Sequence, residues 1–327
     1  MPKAIIMERV GGPEVLKWRD FDPGEPAPGE VRLKQVAVGL NFIDVYHRTG
    51  LYPLPKLPAV PGMEGAGIVE AVGEGVDAFA AGDRVAYAGL PPGAYAQVRS
   101  IPAHRLVKLP DAIDLEQAAA MMLQGMTARY LLHGCYKVKA GDTILIHPAA
   151  GGVGAIVCQR AHHLGATVIG TVGNDAKAQS ALANGCDHAV VYTKEDFVAR
   201  VKAVTDGKGV HAVYDSVGAA TFNPSLDCLR PMGTMVTFGQ SSGPVPPLET
   251  GILAAKGSLF LTRPSLMTYT AERSDLLAHA KDLFEVVQKG AVKIEIHQRF
   301  ALSEAAAAHT ALERRQTTAA TVLLADA

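Results

Sequence analysis

Cysteine is scarce in this chain: four in 327 residues, at positions 135, 158, 186 and 228, with no Cys-x-x-Cys pair. That spacing argues against a disulfide framework or a structural zinc cluster and for buried free thiols in a reducing cytosol. No run of roughly 18 apolar residues occurs, so no membrane-spanning helix is expected. The start of the chain carries no signal-peptide pattern, and a cytoplasmic location is expected. Charge of one sign is also missing. Lys and Arg number 31 against 32 Asp and Glu, a net of −1, and no basic run stands out. Nucleic acid therefore meets no electrostatic attraction. What remains is 48% hydrophobic and 19% charged. Such a composition builds cores rather than disorder, and this length favours two domains.

The first third is dense in Gly and Pro. Short β-type runs at 4–6, 31–36, 67–72 and 83–87 predict a small β-barrel-like domain. Near residue 112 the pattern changes. Asp114 is the expected cap of a helix over 114–132. Strands at 143–147, 166–170, 189–192, 210–214, 234–238 and 258–262 then alternate with helices at 152–164, 176–183 and 195–204. Alternation of this kind predicts βαβ units on a doubly wound parallel sheet, an α/β fold. A helix over 276–290, an Ala-rich helix capped by Ser303 and a strand at 321–324 end the chain.

The strongest motif is Ala149-Ala150-Gly151-Gly152-Val153-Gly154, between a strand and a helix. That is the setting of a dinucleotide turn: backbone without side chains approaches a pyrophosphate, and the helix start offers free N–H groups. Ala149 stands where the first glycine of the usual pattern would be. No Lys-Ser/Thr follows, so it is not a P-loop. The choice between NAD and NADP falls about 20 residues on, at the end of the next strand. No acid sits there. Lys177 is placed to meet a 2′-phosphate, while Asp175 either repels that phosphate, against NADPH, or caps the following helix, the role its position favours.

Taken together, these segments resemble a medium-chain dehydrogenase/reductase: Asn41-Phe42-Ile43-Asp44, Pro61 to Gly67 through Met63-Glu64, Ala81 to Val85, the glycine turn, and Tyr214-Asp215-Ser216-Val217-Gly218. Gly50 to Pro53 and Thr262 to Leu266 are most similar to the zinc-independent quinone oxidoreductase branch, the zeta-crystallin relatives. The resemblance spans essentially the whole chain. It implies a GroES-like domain at 1–125, completed by 266–327, with a Rossmann domain at 126–265 and the active cleft at their junction. It implies NADPH as cofactor and a homodimer paired through strand 258–262.

The zinc-dependent cousins use Cys where this chain has Asn41 and His where it has Met63. Neither replacement is a credible zinc ligand beside Glu64, so metal-free chemistry is expected. By the same resemblance, Asn41, Tyr46 and Tyr52 are the catalytic candidates, and Asn41 and Thr127 lie near the nicotinamide. Gly151, Gly152, Val153 and Gly154 form the pyrophosphate turn. Gly173, Lys177 and Tyr192 surround the 2′-phosphate and adenosine. Phe238, Gly239 and Ser241 line the nicotinamide side, with Arg315 nearby. Gln124 departs from the Lys expected in relatives, and Arg263 stays open between the dimer strand and the cleft.

The implied reaction is hydride or electron transfer from NADPH to a quinone or another electrophilic acceptor. Two alternatives stay open: an NADPH-dependent enone or enoyl reductase, and a non-catalytic NADPH-binding protein, crystallin-like or RNA-associated. Bland roles compete at several residues. His47 reads as a surface histidine beside a loop, and His147 as a satisfied core group. The adjacent His162 and His163 lack the spacing of a metal pair.

Overall fold

The chain folds into two units, 1–126 with 269–289 and 294–327, and 127–268 with 290–293. The structure is a computed structural model and describes residues 1–326. Each unit has its own sheet.

The first unit begins with a small ribbon, β1 (Lys3–Ile6) against β2 (Lys17–Asp20). Its main sheet is organised on β3 (Glu30–Gly39), whose alternate residues Val31, Leu33, Gln35 and Ala37 are fully buried. Helix α1 (Phe42–Thr49) follows at once. Strands β4 (Glu64–Val72), β5 (Arg84–Ala88), β6 (Val98–Pro102) and β7 (Val107–Lys108) lead to helix α2 (Leu115–Tyr130), whose start is capped by Asp114 through the Gln117 N–H at 2.7 Å. β4 and β6 both pair antiparallel to β3.

The second unit alternates: β8 (Thr143–His147), α3 (Gly152–His163), β9 (Thr167–Val172), α4 (Asp175–Ala183), β10 (His188–Val191), α5 (Phe197–Val204), β11 (Val210–Asp215), α6 (Phe222–Leu226), β12 (Leu229–Thr237), α7 (Gly251–Ala255), β13 (Phe260–Thr262) and α8 (Leu266–Tyr269). Its six strands are all parallel, in the order β10-β9-β8-β11-β12-β13. The order reverses beside β8, so the glycine turn after β8 sits at the switch point, where such sheets bind ligands. Leu145, Ile169, Val190, Val213 and Met235 are buried as the inner row, which is why these strands read as unbroken apolar runs.

The chain then returns to the first unit with α9 (Arg273–Gln288), β14 (Ile296–Ala301), α10 (Ala305–Glu313) and β15 (Ala320–Leu324). β15 pairs antiparallel with β3, Leu323 opposite Val38, so the last strand completes the first sheet.

Several expectations need correction. The segment after Asn41 is a helix, not a loop. Asp44 accepts the Asn41 N–H at 2.9 Å, and Gly50 ends α1 with a left-handed φ of 84°, both ordinary helix punctuation. Ser303 does not cap the Ala-rich helix. It lies inside a short turn (Leu302–Glu304), and Glu304 accepts the Ala301 N–H at 3.0 Å instead. β2, β6, β7 and β14 carry polar or mixed sequences that gave no clear strand signal.

A buried chain of side chains ties α10 to α1. Arg48, 1% exposed, forks onto Glu313 with bonds of 2.9 and 2.8 Å. The same guanidinium faces His309 Nδ1 at 3.4 Å. A guanidinium only donates, so Nδ1 accepts and the proton of the neutral ring sits on Nε2. Nε2 then donates to Tyr95 Oη at 3.0 Å, and the Tyr95 hydroxyl donates to Asp44 Oδ2 at 3.1 Å.

Burial, aided by the Arg48 charge, pushes His309 down to about 3. The ring is neutral when folded, whereas the unfolded histidine takes a proton below about 6.5. Its contribution to stability is therefore present above pH 6.5 and lost as pH falls toward 3. His309→Gln should be less stable than the parent at pH 7.5 but lose less between pH 6.5 and 4, read by urea unfolding across that range. Parallel stability curves for the two proteins would disprove this role.

Candidate functional site

Asn41 starts α1, but its side chain does not cap it. Asn41 Nδ2 donates to Glu64 Oε2 at 2.7 Å, and Gln124 Nε2 donates to Asn41 Oδ1 at 3.1 Å. All three residues are buried. The second oxygen of Glu64 accepts the Leu123 N–H of α2 at 2.7 Å. Room for this carboxyl depends on Gly39, where a Cβ would lie 2.3 Å from Glu64 Oε2.

Burial raises the Glu64 carboxyl to about 8, against the lowering effect of the Asn41 and Leu123 hydrogen bonds, and nearby Asp44 adds to the rise. Asp44 is itself lifted by burial to about 7. Two carboxyl groups out of water thus flank Asn41, one at its amide and one at its backbone.

In the second unit the glycine turn is built as the sequence suggests. Gly154 has no alternative: a Cβ there would lie 2.0 Å from the Pro148 carbonyl oxygen. Ala149 fills the first-glycine position because its methyl sits over Gly170, where a second Cβ would come within 2.4 Å of it. No side chain caps the start of α3, which leaves its N-terminal N–H groups for an anion. Gly151, Gly152 and Val153 are partly accessible there.

At the end of β9, Gly173 lies beneath Tyr192, whose hydroxyl would stand 3.1 Å from a Cβ at that position. Asn174, not Asp175, caps α4, accepting the Lys177 N–H at 2.9 Å. Asp175 is the first helical residue, and both its oxygens accept from Lys194 Nζ, at 2.8 and 2.6 Å. Lys177 stands two positions after Asp175 in the same first turn of α4. The sequence reading missed Lys194, which lies 19 positions beyond its partner.

Other candidates fall as follows. Tyr46 is buried on α1 and meets half-buried Tyr52 edge-on, with ring centroids 5.1 Å apart. His47 is buried rather than exposed, and desolvation lowers its pKa. His147 is a core group as read: Nδ1 lies 2.6 Å from Thr171 Oγ1, and burial lowers it to about 4. Thr127 is buried on α2. Phe238, Gly239 and Ser241 follow β12, where the Phe238 N–H bonds to the Asp215 carbonyl at 2.8 Å and the Ser241 N–H to the Ser216 carbonyl at 3.1 Å.

Asp215 holds the preceding turn by accepting from Val217 N, Gly218 N and Thr221 Oγ1. Arg263 donates to the Gly239 carbonyl at 3.2 Å. Arg315, exposed, follows α10 in the first unit with a φ of 58°. Among the described residues, no group of three or more His, Cys, Asp and Glu is gathered as a metal site would require.

Two family models match the chain: the alcohol dehydrogenase GroES-like domain over residues 27–111 and the zinc-binding dehydrogenase domain over residues 152–281. A quinone oxidoreductase of Pseudomonas aeruginosa is 52% identical over 324 residues, 99% of this chain and 100% of that protein. The chain belongs to the quinone oxidoreductase family of medium-chain dehydrogenases/reductases. A 2-haloacrylate reductase of a Burkholderia species is 46% identical over 333 residues, 100% of both chains. The crystal structure of an Escherichia coli quinone oxidoreductase complexed with NADPH superposes with a TM-score of 0.97 at 48% identity, covering 98% of this chain and 99% of that one.

In this quinone oxidoreductase family member, the Glu64 carboxyl supports a pH test. Its folded pKa of about 8 exceeds the ordinary 4.5. A raised acid favours the folded state fully below pH 4.5, and that benefit is lost as pH rises through 8. Glu64→Gln removes the titration. Relative to the parent, the variant should gain stability between pH 5 and pH 9, measured as the shift in urea midpoint. A difference that does not vary with pH would refute the assignment.

Proposed function

We propose that this chain transfers a hydride from NADPH to a quinone. The observation that carries the cofactor reading is the uncapped glycine turn of α3 together with the Gly173, Lys177 and Tyr192 edge. NADP fits this edge because the acid that would grip a ribose 2′-hydroxyl is absent from the strand end, and Asp175 is occupied by Lys194. The NADPH complex of the E. coli relative supports the same choice.

When bound, NADPH supplies the hydride from its nicotinamide ring, and the protein contributes alignment and electrostatics. Gly151, Gly152, Val153 and Gly154 would hold the pyrophosphate, and Lys177 with Tyr192 and Gly173 would hold the 2′-phosphate end. Thr127, Phe238, Gly239, Ser241 and Arg315 are assigned to orienting the nicotinamide. Asn41 offers an amide N–H to the acceptor oxygen, and Tyr46 and Tyr52 face the acceptor. A quinone is already electrophilic and its reduced anion is delocalised, so neutral N–H donors suffice where an unactivated carbonyl needs a Lewis acid. Solvent supplies the proton. The 46% identity to a 2-haloacrylate reductase favours a second reading, reduction of an activated carbon–carbon double bond with the same cofactor.

NADPH oxidation followed by absorbance, with p-benzoquinone and with an enone, separates the two. Quinone turnover that is insensitive to chelator supports the first reading, and turnover with the enone alone supports the second. Lys177→Ala should raise KM for NADPH about tenfold or more, as loss of a charge-assisted hydrogen bond of ~1.5–3 kcal/mol requires, and leave KM for NADH unchanged. Equal effects on both cofactors would remove Lys177 from the phosphate site.

The proposed location is the cytoplasm, and the proposed assembly is a homodimer. No helix among the described residues is long and apolar enough to cross a membrane. β13 lies at the outer edge of its sheet, with Phe260 62% exposed and Leu261 38% exposed. An apolar edge strand of this kind is a template for pairing, which charge on the edge prevents. Light scattering should give twice the chain mass for the parent and a single chain mass for Phe260→Lys. An unchanged dimer would exclude this edge.

A further inference from the structure

The Asn41 amide has a definite balance of hydrogen bonds. A carboxamide has two N–H donors and an oxygen with two lone pairs. One N–H is spent on Glu64 and one lone pair on Gln124. One N–H of Asn41 remains for another partner. Consecutive residues of α2 supply both supports: the Leu123 N–H holds Glu64 at 2.7 Å, and the Gln124 side chain holds Asn41 at 3.1 Å. With both Glu64 oxygens accepting and Gln124 donating, turning the Asn41 amide over would set oxygen against oxygen at Glu64 and N–H against N–H at Gln124. Both contacts are buried, where unmatched polar groups cost most. The nitrogen is therefore kept on the Glu64 side. Gln124 is neutral, so it sets this orientation without adding a cation beside Glu64.

We propose that Gln124 is a positioning residue, whose N–H fixes the Asn41 carboxamide so that the second Asn41 N–H stays available to the acceptor oxygen. This rests on Asn41 being the donor in quinone reduction. Gln124 acts through Asn41, and its loss matters only while Asn41 is present.

The test is a double-mutant cycle with p-benzoquinone and NADPH, joined to NMR of the Asn41 side-chain NH2 group, assigned by its loss in Asn41→Ala. Asn41→Ala should lower kcat about a hundredfold, as loss of a donor to a developing oxyanion does. Gln124→Leu, which keeps bulk but cannot donate, should lower kcat about tenfold, the worth of one hydrogen bond in a rate, with KM for NADPH unchanged. The double variant should be no slower than Asn41→Ala alone. Gln124→Lys, which still donates, should recover most of the rate. In Gln124→Leu the Asn41 NH2 resonances should shift and exchange faster with solvent.

Equal losses from Gln124→Leu with and without Asn41 would overturn the proposal, because Gln124 would then act independently. An Asn41→Ala variant with unchanged kcat would overturn it too, by removing the donor it serves. If the parent reduces no quinone at all, the functional reading fails separately. The NH2 resonances then decide alone: perturbed in Gln124→Leu, they uphold the positioning; unperturbed, they refute it.

Discussion

Glu64 is a carboxyl group removed from water, and the local structure is arranged around that fact. Its two oxygens take one N–H from the side chain of Asn41 and one from the backbone of Leu123. Desolvation nonetheless exceeds these bonds and lifts the group to about 8. An acid in this condition demands donors of fixed position, because an unmatched oxygen in a dry site costs a few kcal/mol. Gly39 supplies the space, α2 the backbone donor and Asn41 the side-chain donor. The geometry of Asn41 follows from the needs of Glu64.

The same logic extends outward through Asp44. It accepts the Asn41 backbone N–H and the Tyr95 hydroxyl, and through His309 and Arg48 the chain of donors reaches Glu313 on α10. From Arg48 inward every donor points toward Asp44, because Arg48 can only donate, and its remaining N–H groups donate outward to Glu313. The C-terminal segment therefore does more than fill the sheet with β15. It carries His309, whose tautomer Arg48 of α1 sets, and Glu313, which holds α1 from behind through the same guanidinium. A residue near the end of the sequence constrains the orientation of a helix that starts at position 42.

Much of this architecture was legible in the sequence. The alternating strands of the second unit are apolar runs bounded by glycines, and the turn after β8 stands in a setting that admits few other readings. Even the departure at Ala149 has a local cause, the missing side chain of Gly170 opposite it. The departures came where polar groups interact over long sequence distances. His47 looked like a surface residue because nothing local reveals that Tyr52 folds back over α1. Asp175 looked like a cap because Asn174 beside it is equally suited, and its real partner is Lys194. α1 itself was announced by Asn41 and Asp44 at capping spacing and by Gly50 at its end, a signal read as a loop because the segment is short. Tyr95, His309 and Arg48 gave no pattern at all: they lie 47 to 261 positions apart and meet only in the folded sheet.

On the proposed reading, the arrangement also accounts for an amide at the position where the zinc-dependent enzymes that the chain resembles place a metal ligand. An amide nitrogen already donating to a carboxyl is unfit to coordinate a cation, but it is a good neutral donor, since the carboxyl polarises it and the bond prevents it from rotating. Such a donor gives little help to an unactivated carbonyl, whose reduction builds a localised alkoxide. It helps an acceptor whose negative charge spreads over a conjugated system, where a modest, preorganised field is enough. If Asn41 is the donor proposed above, Asn in place of a ligand narrows the chemistry toward electron-poor acceptors, and the buried acid beside it keeps the amide in place.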